Sequence, residues 1–309
     1  MKIAILSGVP IDFTGGGHRP AHLKRAFEKL GHQADYYYAN YETIKPIYDL
    51  LLIEYPYRQI VDNLQKIRGN AKIIYDVLDD WKELKSNAYD KKTEDLLIEA
   101  ADVTIAVSKE LASEYKAYYV PNAVDLEFVD SKKEEHKDFK NSKKLIIGYV
   151  GFLKGWWFDW DIIRSLSLIP NTEIHIVGKC NGIRNNFSNV TFHEETEYKD
   201  IPAYINSFDV CIIPFKPGKL FNRTSPLKLY EYLAANKPVV SMKTTESFNL
   251  PNLHYADTNE DFVAMVSLYK NIKQGFSVEG AEGKAKLIRE FVEKNTWTER
   301  AKQIMGVLK

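Results

Sequence analysis

Short apolar runs alternate along nearly the whole chain with stretches whose apolar positions recur every three or four residues. The first pattern belongs to strands buried on both faces, the second to helices with one inward face. In the first half this predicts strands over 3–6, 34–38, 50–53, 72–75 and 103–107, with helices beginning near Pro20, Arg58, Thr93 and Ser108. Val120-Pro-Asn-Ala-Val-Asp125 interrupts the alternation. The residues from Asp130 to Lys144 are almost wholly polar, which suits a connection between domains or a solvated excursion. A second series opens at Lys144-Leu-Ile-Ile-Gly-Tyr-Val-Gly151. It predicts further strands over 173–177, 190–192, 210–214 and 239–242, and helices over 160–168, 201–207, 226–235, 261–272 and 283–294. The alternation implies an α/β fold of two Rossmann-like domains, each a parallel sheet covered by helices. Ligands of such sheets sit beyond the carboxyl ends of the strands, and two facing sheets would leave an interdomain cleft.

The stretch from Asn222 to Val240 is the most informative. It reads as a polar loop, a capped helix and a buried strand. Ser225 is expected to cap the helix and Pro226 to occupy its first position. Leu227, Tyr230, Leu233 and Ala234 mark its expected inward face. The N–H groups of a helix start attract anions. Lys228 lies in the first turn, and Glu231 follows three residues later on nearly the same face. A cation for phosphates beside an acceptor for hydroxyls suits a sugar nucleotide. A solvated surface ion pair is the plainer alternative.

Composition narrows the class of protein. The 309 residues suggest two domains, and 45% hydrophobic with 27% charged residues is ordinary for a globular chain. With 42 basic and 42 acidic side chains, nucleic acid is not the expected partner. Cys180 and Cys211 have no metal-ligand spacing, and a disulfide scaffold is implausible at this size. Met1–Ser7 reads as a first strand rather than a signal peptide, and no run reaches membrane-spanning length, so the cytoplasm is the expected compartment.

Other polar clusters stand at expected strand ends. Gly15, Gly16 and Gly17 follow the first strand and let backbone N–H groups approach a phosphate or an acceptor, although neither G-x-G-x-x-G nor a P-loop is present. The plain alternative is a surface turn. His18 and Arg19 come next, His18 as a catalytic candidate beside the plainer structural role. Asp76, Asp79 and Asp80 follow the fourth strand; they suit substrate hydroxyls, a divalent cation or a helix cap, and Asp79 or Asp80 is the expected substrate contact. In the second half, Gly151 allows close approach of the backbone, Lys154 is placed to meet phosphate, and at least one of Trp156, Trp157 and Phe158 is expected in the core.

With these residues assembled, the second half resembles the donor domain of GT-B glycosyltransferases of the retaining family 4, or group 1. The motifs that carry the resemblance are Ile147-Gly-Tyr-Val-Gly151, Ile174-His-Ile-Val-Gly178, Asp209-Val-Cys-Ile-Ile-Pro-Phe215 and the specific block Ser225-Pro-Leu-Lys-Leu-Tyr-Glu-Tyr-Leu-Ala234. The glycine loop, Tyr75-Asp-Val-Leu-Asp-Asp-Trp81 and Asn295-Thr-Trp-Thr298 extend it over nearly the full length. The likeness is greatest to bacterial cell-surface polysaccharide and teichuronic-acid-type transferases. It implies a division into an acceptor-side domain over 1–125, a polar connection over 126–143, a donor domain over 144–290 and a helical segment over 291–309, for which a return to the first domain is allowed. It also implies that Glu231 binds the nucleotide ribose and that Thr224, Ser225, Pro226 and Leu227 meet the diphosphate, with Gly151 and Phe152 nearby. Arg223 stands where the family has its first paired glutamate, and Phe152 where it has an arginine. Lys154, Arg223 and Lys228 are therefore assigned the phosphate charge, with Asp79 and Asp80 also on the catalytic side and Gly15, Gly16, Gly17 and His18 on the acceptor side.

The resulting expectation is a hexosyltransferase that moves a sugar from a nucleoside diphosphate sugar, UDP favoured, to a hydroxyl of a glycan, a lipid-linked or another acceptor. Retention, a role in polysaccharide biosynthesis, no cofactor and no required metal are expected, with peripheral membrane contact allowed. A sugar-nucleotide epimerase on the same fold and an inactive nucleotide-sugar-binding scaffold are the competing readings.

Overall fold

The computed structural model describes all residues except 85–88, 127–135, 137–138, 140–141, 154–155, 180–186, 274–280 and 309. The chain forms two compact units. Unit 1 comprises Met1–Ala123, Asn222–Ser225 and Thr296–Lys309; unit 2 comprises Val124–Phe221 and Pro226–Asn295. Most of the polar 126–143 segment lies outside the described residues.

Unit 1 is built on β1 (Lys2–Ser7), β2 (Gln33–Tyr38), β3 (Leu50–Ile53), β4 (Lys72–Val77), β5 (Val103–Ala106) and the short β6 (Tyr118–Tyr119), all parallel, in the order β2-β1-β3-β4-β5-β6. Leu50, Leu51, Leu52 and Ile53 are all fully buried, which is why this apolar run shows no alternation. Asp90 and Ser108 cap the helices Lys91–Ala100 and Lys109–Tyr115 by accepting bonds from backbone N–H groups of the first turn. The helix Trp297–Gly306 belongs to this unit; its buried Trp297, Ala301 and Ile304 repeat at helical spacing, and Trp297 stacks on His22 at 4.9 Å.

Unit 2 holds β7 (Leu145–Val150), β8 (Thr172–Val177), β9 (Val190–His193), β10 (Val210–Ile213), β11 (Val239–Met242) and β12 (Leu253–Ala256), again all parallel, in the order β12-β11-β10-β7-β8-β9. The strand order reverses between β7 and β10, the place where open α/β sheets take their ligands. In unit 1 the reversal falls between β1 and β3.

The key helix departs from expectation. It runs Leu227–Ala234, with Pro226 as its N-cap and no side-chain cap. The Ser225 hydroxyl instead accepts a hydrogen bond from the Asn122 backbone N–H at 3.1 Å, and the Ser225 carbonyl accepts one from Asn122 Nδ2 at 2.6 Å. The helix is also buried almost all round: Leu229 through Ala234 are all inside, while Leu227 is only half-buried. Tyr232, on the face expected to be outward, is fully buried, and its hydroxyl accepts the Val150 N–H at 2.8 Å. A short helix, Lys219–Asn222, precedes it.

Candidate functional site

The end of β7 is shaped by two glycines. Gly151 has φ 147° and Gly178, after β8, has φ 142°, backbone that side chains rarely adopt. A Cβ on Gly178 would stand 2.2 Å from the Gly151 carbonyl oxygen, and one on Gly151 would stand 2.8 Å from Lys228 Cε. The glycines thus let two strand ends and the Lys228 chain converge.

Lys228 Nζ lies 5.3 Å from the Tyr149 ring centroid and 4.9 Å from that of Phe215. Tyr149 belongs to β7 and Phe215 follows β10, so the ammonium sits at the strand-order reversal. Among the described residues it has no hydrogen-bond acceptor and no ion-pair partner. Burial lowers its pKa from 10.5 to about 8, a shift that Glu231 opposes. Glu231 is buried on the same helix, and burial raises its pKa from 4.5 to about 7. The Lys228 charge pulls it down, while Asp125 adds to the rise. The arrangement offers a partly desolvated cation, a helix start and an acid that accepts hydrogen bonds when ionised.

In unit 1 the glycine loop is a tight turn. Thr14, Gly15 and Gly16 have φ of 51°, 62° and 80°, the Gly17 N–H donates to Thr14 O at 3.1 Å, and Gly16 O accepts from Arg25 at 3.0 Å. His18 Nε2 is 3.1 Å from the Tyr36 hydroxyl, and burial lowers the His18 pKa to about 4, so the ring is neutral at neutral pH. Arg19 is buried and forms a forked pair with Asp76 at 2.6 and 3.2 Å. Glu54, at the end of β3, is fully buried with neither oxygen hydrogen-bonded; burial, and then the Asp76 charge, raise its pKa well above the usual range.

Against this geometry stand the likenesses to known proteins. The model of the family described as glycosyl transferases group 1 matches residues 144–264. TuaH of Bacillus subtilis (strain 168), whose name assigns it to teichuronic acid biosynthesis as a glycosyltransferase, is 28% identical over 174 residues, 51% of this chain and 44% of that protein. The match thus spans less than half the length of that curated relative. Sucrose-phosphate synthase from Thermosynechococcus elongatus superposes with a TM-score of 0.67 at 16% identity, over 99% of this chain and 98% of that one. Anabaena HepE, solved with UDP-glucose, gives 0.66 at 14%, over 100% and 99%. An alpha-glucosyltransferase solved with UDP and DNA gives 0.71 at 12%, over 100% and 99%.

Residues 144–264 form a group 1 glycosyltransferase domain within a GT-B fold. The group 1 domain contains Gly151, Lys228 and Glu231, and the structure brings these three together with Tyr149 and Phe215. Phe152 is half-buried, and its carbonyl accepts from the Tyr149 hydroxyl at 3.3 Å. Pro226 and Leu227 stand at the helix start, while Thr224 and Ser225 group with unit 1. Lys154 lies outside the described residues. Of the three aromatics after the loop, Phe158 is in the core and Trp156 is exposed.

Arg223, assigned by sequence to phosphate, is turned to carboxylates of unit 1. Its Nη1 is 2.7 Å from Asp80, its Nη2 is 2.6 Å from Glu114, and its Nε is 3.5 Å from Glu110. Asp80 is correspondingly buried and also accepts the Glu83 N–H, so its carboxylate is already held. Asp79 differs: it has no hydrogen-bond or ion-pair partner among the described residues, and burial, helped by Asp80, raises its pKa to about 7. No group of three or more metal-ligating side chains occurs among the described residues, and Asp76 is engaged by Arg19. Sequence reasoning gave no role to Glu54, Tyr55 or Tyr57. The one signal was a glutamate ending an otherwise apolar strand.

Proposed function

We propose that this chain is a retaining glycosyltransferase that transfers a sugar from a UDP-sugar to an acceptor hydroxyl during polysaccharide assembly, without a metal. The observation that carries the reading is the Lys228 ammonium, partly desolvated and without an acceptor among the described residues, at the strand-order reversal of the group 1 domain. Holding a charge in that state is unfavourable unless an anion completes it. A diphosphate does so, and the N–H groups of the helix start add to its stabilisation as negative charge grows on the leaving group. Glu231, one turn further on, is suited to the ribose hydroxyls. The UDP complexes named for HepE and the alpha-glucosyltransferase favour uridine, and the name of TuaH favours a cell-surface polysaccharide. Retention follows the family resemblance.

A thermal-shift panel of UDP, GDP, ADP, CDP and dTDP tests the donor. Ligand at a hundredfold excess over its dissociation constant stabilises by about 2.7 kcal/mol. UDP is expected to give the largest shift, and no shift with any nucleotide would overturn the reading. Mass analysis with UDP-glucose, UDP-galactose and their N-acetylamino counterparts then separates transfer to an acceptor from epimerisation of donor alone and from binding without turnover.

A further inference from the structure

The sheet of unit 1 ends on one side in an unguarded edge. β2 pairs only with β1 and is the longest edge strand of the two sheets, six residues against two in β6 and four each in β9 and β12. The Gln33 N–H donates to Met1 O, so the parallel ladder turns the N–H and C=O groups of Gln33, Asp35 and Tyr37 toward β1. Those of Ala34, Tyr36 and Tyr38 point away from the sheet, and no backbone hydrogen bond to them occurs among the described residues. Edge strands are ordinarily protected by Lys, Pro, a bulge or extreme shortness. β2 reads Gln-Ala-Asp-Tyr-Tyr-Tyr, and its register with β1 runs without a bulge. Its one charge, Asp35, already accepts the Tyr48 hydroxyl at 2.8 Å and Gln33 Nε2 at 3.2 Å.

The edge is also flanked by exposed apolar side chains. Met1 at its start is 46% exposed and Tyr38 at its end 45%. The exposed Phe13 is joined to it through His18, whose ring meets Phe13 at 5.9 Å and Tyr36 at 6.3 Å. The strand is complementary to itself. Antiparallel pairing of two copies about a two-fold axis at Tyr36 sets Tyr36 against Tyr36 and Ala34 against Tyr38 on either side. Every residue with outward backbone groups then meets another, and each such pair exchanges two hydrogen bonds. The short Ala34 stands opposite the long Tyr38 and one aromatic ring opposite another. Asp35 falls opposite Tyr37, so the carboxylates of the two copies do not meet. A foreign strand would need none of this symmetry, and a two-fold pair closes on itself and leaves neither β2 edge open.

We propose that this chain forms a two-fold dimer in which the β2 strands of two copies pair antiparallel about Tyr36, joining their unit 1 sheets edge to edge. The pairing does not depend on the transferase reading above. It is tested by sedimentation velocity on the full chain over a roughly hundredfold range of concentration around 1 µM. Amide hydrogen exchange of residues 33–40 is followed over the same range.

A monomer–dimer equilibrium is expected, with exchange of residues 33–40 slowing as the dimer fills. Tyr38→Lys places at the edge the charge that other edge strands use for protection, and it should raise the dimer Kd roughly tenfold or more. Tyr118→Lys puts the same charge on the opposite edge of the sheet, at an exposed tyrosine of β6, and should leave the Kd within about twofold. Circular dichroism checks that both variants fold, and if Tyr38→Lys does not, the exchange of the wild-type segment decides the matter. The proposal falls if the wild type stays monomeric across the range or forms species larger than a dimer. It falls equally if a dimer forms while residues 33–40 exchange as fast as in the monomer, or if folded Tyr38→Lys dimerises like the wild type.

Discussion

Replacing Lys228 by methionine should make the protein more stable and less active at once. Methionine keeps the length of the chain and its contact with the Tyr149 and Phe215 rings while removing the charge. The Lys228 pKa falls from 10.5 to about 8 on folding. At about 1.4 kcal/mol per unit, this corresponds to roughly 3 kcal/mol against the charged form at neutral pH. Lost cation–π attraction returns about 0.5–2 kcal/mol of that. The net gain for Lys228→Met is then on the order of 1–2 kcal/mol, a rise in Tm of roughly 2–6 °C.

The sign is checked by pH. Between pH 8 and 10.5 the unfolded lysine holds more proton than the folded one, so wild-type stability should climb across that window, and the variant should lack the climb. Charge-assisted hydrogen bonds to the diphosphate contribute roughly 1.5–3 kcal/mol, so kcat/KM for donor should drop by about 10- to 150-fold. Calorimetry from pH 7 to 10.5 and steady-state kinetics measure both. A structural ion pair predicts the opposite, a loss of about 3–5 kcal/mol on breaking it. Destabilisation of that size, or unchanged kinetics, would refute the reasoning.

Three further outcomes follow from the same geometry. Glu231 has a folded pKa raised from 4.5 to about 7, so its contribution to stability is full below pH 4.5 and lost as pH rises through 7; Glu231→Gln should flatten that fall in a pH series of melts and weaken UDP binding roughly tenfold by calorimetry, with kcat changed less. Arg223→Met leaves the buried Asp80 without its cation, so it should lower stability by on the order of 3 kcal/mol while UDP affinity stays within twofold; a large loss of UDP affinity in a folded variant would return Arg223 to the phosphates. Turnover should persist in EDTA, and activity abolished by chelation and restored by magnesium or manganese would point to a metal.

How much of this was legible in the sequence depended on how local the cause was. The strands Leu50–Ile53 and Val239–Met242 and the helix Ile201–Ser207 match the bounds read from pattern alone, because each is specified by its own run of buried residues, with Pro202 in the first turn of the helix. The edge strands Tyr118–Tyr119 and Leu253–Ala256 went unread. Each has a single pairing neighbour and exposed positions, so its apolar signal is diluted. The Ser225 cap failed for a different reason: the hydroxyl is taken by Asn122, more than a hundred residues earlier, and a tertiary partner overrides a local preference.

The same distinction runs through the site. Lys228 and Glu231 could be found from one helix turn, because a cation and a carboxylate at that spacing are visible in a single line of sequence. What makes them suited to a diphosphate and a ribose is their burial, and that comes from elsewhere. Tyr149 reaches Lys228 from β7 and Phe215 from the segment just after β10, the two strands flanking the order reversal, and Gly151 leaves the gap through which the lysine chain passes. No local pattern could distinguish this from a solvated ion pair, since the spacing is the same in both. Arg223 shows the reverse case: its position beside the motif suggested phosphate, whereas the carboxylates that hold it are contributed by Asp80, Glu110 and Glu114 of unit 1. Electrostatic roles are therefore decided by which charges the topology gathers, and Lys228 in unit 2 and Asp79 in unit 1 are left without a partner among the described residues.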